Sequence, residues 1–559
     1  MLFISFFWII FLAFFHSLAW LIPNHFPPWL GFHSDVLSAL VLLILAVVIA
    51  FRAKTNAEWH AFSSIVFFLI VLIFFQFYFG LINQPGVAWI NAIYLFGLLI
   101  ALLVGSVWEK SATLECADFL FLTAILGAFA SLGIQIYQWL ELDFLNQWIL
   151  QTGKSRYYAN MAQPNQLGSL FFWGILGCGW IYVRGKVNAL IAIGLAAGFF
   201  FGLALTESRT GWLNGVLVAA ALVAWRKLPN KKLMPQAVLM LLAFYWICVL
   251  AVPSLNAWSG RMEVPLEVRS LMDQGRLSIW SMLIKAALLN PWAGYGWGQV
   301  SHAQFEPGVV QLNIAASLQQ SHNLILDLIL WNGLPVGIIL FIFLVWWTVR
   351  ILRSINTIEQ LLMVFFIAAI FVHAMLEFPL QYAYFLLPVG LMVGALNANM
   401  NLRVFWSMPK WMLWIFISMA ILIFSIIVKD YLKVENSFYG LRFEQRKIET
   451  EISKNPPEVI FLTQLRDYII FARKEPAQFH SQENIEWAKD IVKTLPSAFG
   501  MYKLAAMLAF SGQAEETRYW MRTACSMHNQ YQCDAVKDLW KQQGEIHPEM
   551  KKIEWQENY

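Results

Sequence analysis

Three side chains, two guanidinium groups and one imidazole, stand where a largely apolar chain has little use for them: Arg209 in TESRTGW, Arg276 in QGRLSIW and His322 in QQSHNLILDLILW. A guanidinium is planar, permanently charged and able to donate two parallel hydrogen bonds, which suits it to phosphate or carboxylate oxygens. An imidazole titrates near pH 6.5, about where a proton must be taken and returned at neutrality. Each position also has a plainer reading. Arg209, between two apolar runs, fits an interfacial anchor that snorkels to lipid headgroups as well as a phosphate ligand. Arg269 and Arg276 are seven residues apart and share one face of a helix, the pattern of a solvated amphipathic surface as well as of an anion site. His322 lies just before an apolar run that opens a helix, where a structural histidine is equally at home.

Polar residues at the ends of other apolar runs form a second group. Gln163-Pro164-Asn165-Gln166 precedes an apolar run and, by chemistry alone, reads as a helix N-terminal turn with Asn165 available for capping. Glu377 in EFPLQYAY stands in a short loop between two apolar runs; an ionisable residue in such a place is a functional candidate by default.

The elements that must hold these groups are membrane helices. The chain is 59% hydrophobic and only 13% charged, about half the charge of a soluble protein, and its mean hydropathy is +0.59. Apolar runs long enough to cross about 30 Å of hydrocarbon are read near 2–22, 34–51, 62–82, 87–107, 119–138, 166–183, 187–206, 211–225, 233–252, 324–347, 361–376, 382–397 and 411–429, about thirteen in all. The first has no basic leader and no small-residue cleavage site and is read as an anchor. With the N-terminus in the cytoplasm, thirteen lysines and arginines fall in cytoplasmic loops against Lys154, Arg156 and Arg209 in the short loops opposite. That orientation puts the 253–322 loop and the tail outside.

Half of the 72 charged residues lie in 430–559, so the expected organisation is a membrane domain, 1–429, and a soluble domain, 430–559. Helical periodicity over Ile485–Thr494, Met501–Phe510 and Ala514–Met527, with Gly512 at a turn, makes that tail helical and similar to a tetratricopeptide-like pair. The net charge of +4 is too small and too dispersed for nucleic-acid binding. Cys525 and Cys533 are spaced so that a bridge is allowed but not required, and no metal-ligand spacing appears.

The ordered pieces QGRLSIW, NPWAGYGWG and QQSHNLILDLILWNGLPVG, with SRTG before them, resemble the core of the bacterial O-antigen ligase and polymerase superfamily. YYANMAQPNQLG resembles a motif of its protein O-oligosaccharyltransferase branch. The resemblance covers 157–384. It implies an all-α polytopic enzyme of the inner membrane that works at its periplasmic face. Its donor would be an undecaprenyl-pyrophosphate oligosaccharide, and its acceptor a serine or threonine of a periplasmic protein such as a type IV pilin. It implies catalytic roles for His322, Arg276 and Arg209. Gln163, Asn165, Arg269 and Glu377 would bind substrate, with Tyr382 or Tyr384, and neither cofactor nor metal would be required. An O-antigen ligase acting on lipid A-core and an O-antigen polymerase are the neighbouring alternatives. A transporter would need intramembrane charged pairs and repeats; a catalytically silent pilus-assembly scaffold with a binding tail is the remaining alternative.

Overall fold

The computed structural model describes residues 6–555, apart from 153–155, 209–210, most of 213–234, 259–265 and 307–316, and apart from the side chains of 266–275. Arg209 and the apolar run 211–225 therefore lie outside the described residues in whole or large part, and Arg269 is described only as a position on a helix.

Almost every described element is a helix. Eight are long and apolar enough to cross a membrane: α2 (Phe32–Arg52), α3 (Ala61–Tyr78), α4 (Pro85–Ser111), α5 (Glu115–Trp139), α6 (Pro164–Val183), α8 (Pro235–Trp258), α11 (Leu324–Arg353) and α14 (Lys410–Gln445). Shorter apolar helices form at four of the remaining expected runs: α1 (Phe6–Ser17), α7 (Ala189–Leu205), α12 (Ile358–Ala374) and α13 (Ala383–Asn399). Helix α8 continues to Trp258 through Pro253, past the expected start of the 253–322 loop, and that loop contains α9 (Leu266–Leu289) and α10 (Val300–Gln304).

The chain divides into two compact units. The first comprises 1–69, 94–266 and 344–424. Its core is aromatic: Trp173 stacks on Phe366 at 4.1 Å and donates its indole N–H to the Phe366 carbonyl at 2.8 Å, and Phe121 stacks on Trp180 at 4.7 Å. Small residues let α4 and α13 approach closely, as membrane helices require in the absence of a hydrophobic drive between them. A side chain at Gly105 would run into the Leu391 carbonyl, and one at Gly394 into that of Leu102. A two-stranded antiparallel ribbon, β1 (Ala57–His60) with β2 (Val404–Met408), pairs Ala57 with Met408.

The second unit comprises 70–93, 267–343 and 425–559. Helix α14 runs unbroken through residue 430, so the tail follows the last span as a continuation of helix rather than after a linker. Asp430 accepts from the backbone N–H groups of Ile460 and Phe461 at 2.8 and 2.7 Å, folding the chain back beside that helix. The tail then forms α15 (Thr463–Arg473), α16 (Gln482–Thr494), α17 (Ala498–Phe510), α18 (Ala514–Ser526) and α19 (Gln530–Ile546) around a buried core that includes Met501, Leu504, Trp520 and Trp540. Ser481, Ser497 and Asn529 cap three of these helices through their side chains. Lys503 is buried and donates to the carbonyls of Phe471, Ala472 and Lys474, satisfying the C-terminal end of α15; its burial lowers its pKa to about 8. Cys525 and Cys533 are joined in a disulfide.

Within this unit α11 is broken at Gly333, whose backbone is non-helical at φ 78°. The freed backbone groups pair with the NPWAGYGWG loop: Tyr295 donates to the Leu330 carbonyl and Leu334 to that of Pro291, both at 2.7 Å. Gln76 of α3 closes the join, donating to the carbonyl of Trp331 and to Asn332 while accepting from the Trp297 N–H. There is no room for a side chain. A Cβ on Gly333 would lie 2.4 Å from the Trp292 carbonyl oxygen, and one on Gly294 2.4 Å from that of Leu330.

Gly333→Ala is expected to destabilise the protein by more than about 2 kcal/mol, because it combines positive φ with a backbone clash. Gly194→Ala, in open space on α7, should match the parent or exceed it by up to about 1 kcal/mol. Thermal unfolding in detergent checks both; equal midpoints for Gly333→Ala and the parent would refute the interlocked join.

Candidate functional site

The first unit gathers the ends of four helices. Helix α6 begins at Pro164, as the QPNQ sequence predicts, but neither Gln163 nor Asn165 caps it. Both amides turn to one carboxylate instead: Asn165 Nδ2 donates to Glu377 Oε1 at 3.1 Å and Gln163 Nε2 to Oε2 at 3.3 Å. The carbonyl oxygen of Asn165 accepts from Ser208 Oγ at 2.8 Å, which ties the TES turn after α7 to the same group. Arg156 donates to the carbonyls of Thr206 and Glu207 at 3.1 and 3.5 Å and holds that turn from the other side. Glu377 is buried among these amides, a setting in which an ionised carboxylate needs the donors it has.

The two tyrosines of EFPLQYAY divide. Tyr384 is buried, 2% exposed, and donates to Gln166 Oε1 at 2.9 Å. Tyr382 stacks against Tyr384 at 5.1 Å and is only partly buried, so it is the one with a face toward open space. The turn before α13 is fixed from α2: Asp35 accepts from the Ala383 N–H and from the Tyr94 hydroxyl, both at 2.6 Å.

The second unit holds His322 and Arg276. Asn323 caps α11, its Oδ1 accepting from the N–H groups of Ile325 and Leu326 at 3.1 Å. Ser321 donates its N–H to the buried Asp327 at 2.7 Å. Between these fixed neighbours His322 adopts φ 58°, a left-handed conformation uncommon for residues other than glycine. Trp280 of α9 donates its indole N–H to the Ser321 carbonyl at 2.9 Å. Trp280 follows Arg276 by four residues on that helix and shares its face. The GRxxxW spacing therefore ties the helix that carries Arg276 to the loop that carries His322, about 6 Å of helix rise from the tether.

Positive φ at residues other than glycine marks these places independently. Among the described residues, Ala159, Ala162, Glu207 and His322 are four of eight such positions, and all four lie in or beside the motifs named above. Such conformations persist only where the surroundings over-determine them, and they concentrate at functional sites.

The structure thus brings Gln163, Asn165 and Glu377 together and sets Tyr382 and Tyr384 against Gln166 and Asp35. It ties Arg276's helix to His322 in the other unit. Sequence reasoning missed Asp35, Ser208, Trp280 and Asp327. Asp35 and Asp327 carried a usable signal, a carboxylate inside or beside an apolar run; Ser208 and Trp280 stood within SRTG and QGRLSIW, but their own contacts are tertiary.

This architecture is that of a multi-pass membrane protein. A sequence model described as O-antigen ligase matches residues 191–342, and one described as virulence factor membrane-bound polymerase, C-terminal, matches 361–543. The chain is thus similar to the O-antigen ligase family over 191–342 and to protein O-oligosaccharyltransferases over most of its length. It is 27% identical over 514 residues to a general O-oligosaccharyltransferase of Acinetobacter baylyi (strain ATCC 33305 / BD413 / ADP1), covering 90% of this chain and 89% of that protein. It is also 27% identical over 403 residues to a ComP-specific O-oligosaccharyltransferase of the same strain, covering 69% and 70%.

The Asn165–Glu377 contact makes a charge test possible. Asn165→Asp sets two carboxylates against each other at hydrogen-bond distance, and glycan transfer is expected to fall at least about tenfold. Adding Glu377→Gln restores one donor–acceptor pair and should recover most of the loss at equal membrane levels, measured by acceptor mass. A double variant no better than the single would mean that the contact does not act as a pair.

Proposed function

We propose that the chain transfers an oligosaccharide en bloc from an undecaprenyl-pyrophosphate carrier to serine or threonine hydroxyls of periplasmic proteins, a type IV pilin foremost. The hydrogen bond from Trp280 to Ser321 carries the mechanism, since it joins the helix of an anion-binding arginine to the loop of a proton acceptor. The similarity to two O-oligosaccharyltransferases over most of their lengths carries the choice of a protein acceptor.

The step is a single inverting displacement. The acceptor hydroxyl oxygen bonds to the anomeric carbon as that carbon's bond to the phosphate oxygen breaks. The hydroxyl proton passes to His322, and the negative charge left on the pyrophosphate is met by Arg276 and Arg209, with Arg269 on the same helix face as Arg276. Gln163 and Asn165, with Glu377 behind them, and Tyr382 or Tyr384 position the substrates through hydrogen bonds. No metal is needed, because two arginines supply the positive charge a cation would bring, and the outside loops hold no DxD motif.

We place the enzyme in the inner membrane with about thirteen spans, its domain 1–429 spanning and its tetratricopeptide-like domain 430–559 in the periplasm. Contacts inside the second unit support one shared side for tail and site. Gly86, at the start of α4, donates its N–H to Thr463 Oγ1 at 2.9 Å, and Asn83 donates to Asp490 at 3.0 Å. The turn between α3 and α4 therefore lies on the tail's side of the membrane, the side that the lysine and arginine count assigns to the outside.

Co-expression with a lipid-linked glycan pathway and candidate acceptors, followed by intact-protein mass, tests the reading. His322→Ala should lose about 10²- to 10⁴-fold in transfer while remaining in the membrane. Arg276→Lys should stay more than about tenfold impaired, because an ammonium cannot make the two-pronged contact; Lys285→Arg, at an exposed position on α9, should be neutral. Addition of glycan to lipid A-core rather than to protein would replace the acceptor half of the proposal.

A further inference from the structure

The second unit joins the tail to the approach to His322 at several points that the chemistry above does not use. His302 Nε2, on α10, lies 3.4 Å from Thr494 Oγ1 at the end of α16. Tyr519 donates its hydroxyl to the Phe305 carbonyl at 3.0 Å, and the Phe305 ring lies 5.3 Å from that of Trp520, inside the buried core of the tail. Ser317 Oγ reaches the Pro496 carbonyl at 3.5 Å. Gln304 then ties the two stretches together, its Oε1 accepting from the Leu318 N–H at 2.7 Å.

Leu318 is buried and precedes His322 by only four residues, at most about 14 Å of chain. Ser321 is held at both backbone groups, by Asp327 and by Trp280. A segment fixed at 302–305, at 317–318 and at 321 leaves little freedom at 322, where the backbone sits in the left-handed region. Left-handed backbone is uncommon for a residue with a side chain and persists where its surroundings hold it.

We propose that the C-terminal helical domain is a positioning element for His322: Tyr519, Trp520 and Thr494 hold Phe305 and α10, and through Gln304 and Leu318 they set the histidine's working geometry. The tail then acts on bond making at the anomeric carbon. Phe305 and Tyr519 are positioning residues, since their contacts are to the backbone and core that lead to His322. The inference rests on His322 being the proton acceptor.

The test uses full-length enzyme in lipid nanodiscs with a lipid-linked oligosaccharide and a purified acceptor protein. It compares Phe305→Ala and the milder Tyr519→Phe/Thr494→Val pair with the parent. A positioning role predicts that kcat for transfer and the rate of free-glycan release by hydrolysis fall together, about tenfold or more, with the acceptor KM unchanged. Hydrogen exchange across 317–323 should quicken while α15–α19 stay protected. A raised acceptor KM with kcat and glycan release unchanged would overturn the proposal in favour of acceptor binding alone, and so would parental values throughout. If Phe305→Ala loosens the whole tail, the milder pair decides by the same split. His322→Ala, assayed alongside, separates the two layers: full activity there sinks the mechanism itself, whereas its loss with unaffected clamp variants sinks only the clamp.

Discussion

A backbone N–H or carbonyl at membrane depth has no water to turn to, and an irregular stretch survives there only where other protein atoms satisfy it. The break of α11 at Gly333 meets that demand with a second irregular loop. The two exchange backbone hydrogen bonds through Tyr295 and Leu334, and Gln76 completes the set. Three further glycines, Gly294, Gly296 and Gly298, take the positive φ that so close an approach imposes. The short helical piece from Leu324 to Asn332 is thereby fixed at one end by the interlock and at the other by the Asn323 cap, and His322 stands immediately outside that cap. NPWAGYGWG, prominent in the sequence, belongs to this scaffold.

The first unit solves a different problem, a buried carboxylate. Glu377 accepts directional hydrogen bonds from the side-chain amides of Gln163 and Asn165. Asp35 does a parallel service below the tyrosines, accepting from a backbone N–H and a phenol.

Much of this was legible in the residues, and the limits follow from range. Membrane helices announce themselves through local composition, and eight of the expected runs are long apolar helices. Arg276 and His322 were singled out by the resemblance of their segments to family motifs; their chemistry and position alone fitted a surface arginine and a structural histidine equally well. What could not be read was tertiary. Nothing local in QPNQ says that its amides skip the helix cap for a carboxylate more than two hundred residues away. The tail's grip on Phe305 crosses a similar distance, 214 residues between Tyr519 and the carbonyl it bonds. The domain boundary expected at residue 430 falls within a continuous helix because composition changes there while backbone structure does not. The bond between Cys525 and Cys533 was open from spacing alone and follows from the helices that bring them together.

The small β ribbon carries a consequence in time. Its first strand, Ala57–His60, leaves the ribosome early, whereas its partner Val404–Met408 follows about 350 residues later. At about 5–20 residues per second that is a wait of roughly 20–70 s. Throughout, the N–H and carbonyl groups of an edge containing Trp59 lack their ribbon partner, with Arg52 and Lys54 ahead of the strand and Glu58 within it. Charge at the borders of a lone strand discourages pairing with a neighbouring nascent chain. The last bond to close in this part of the molecule is thus one of the first to be presented, and membrane insertion of the intervening helices must be nearly complete before the ribbon can form.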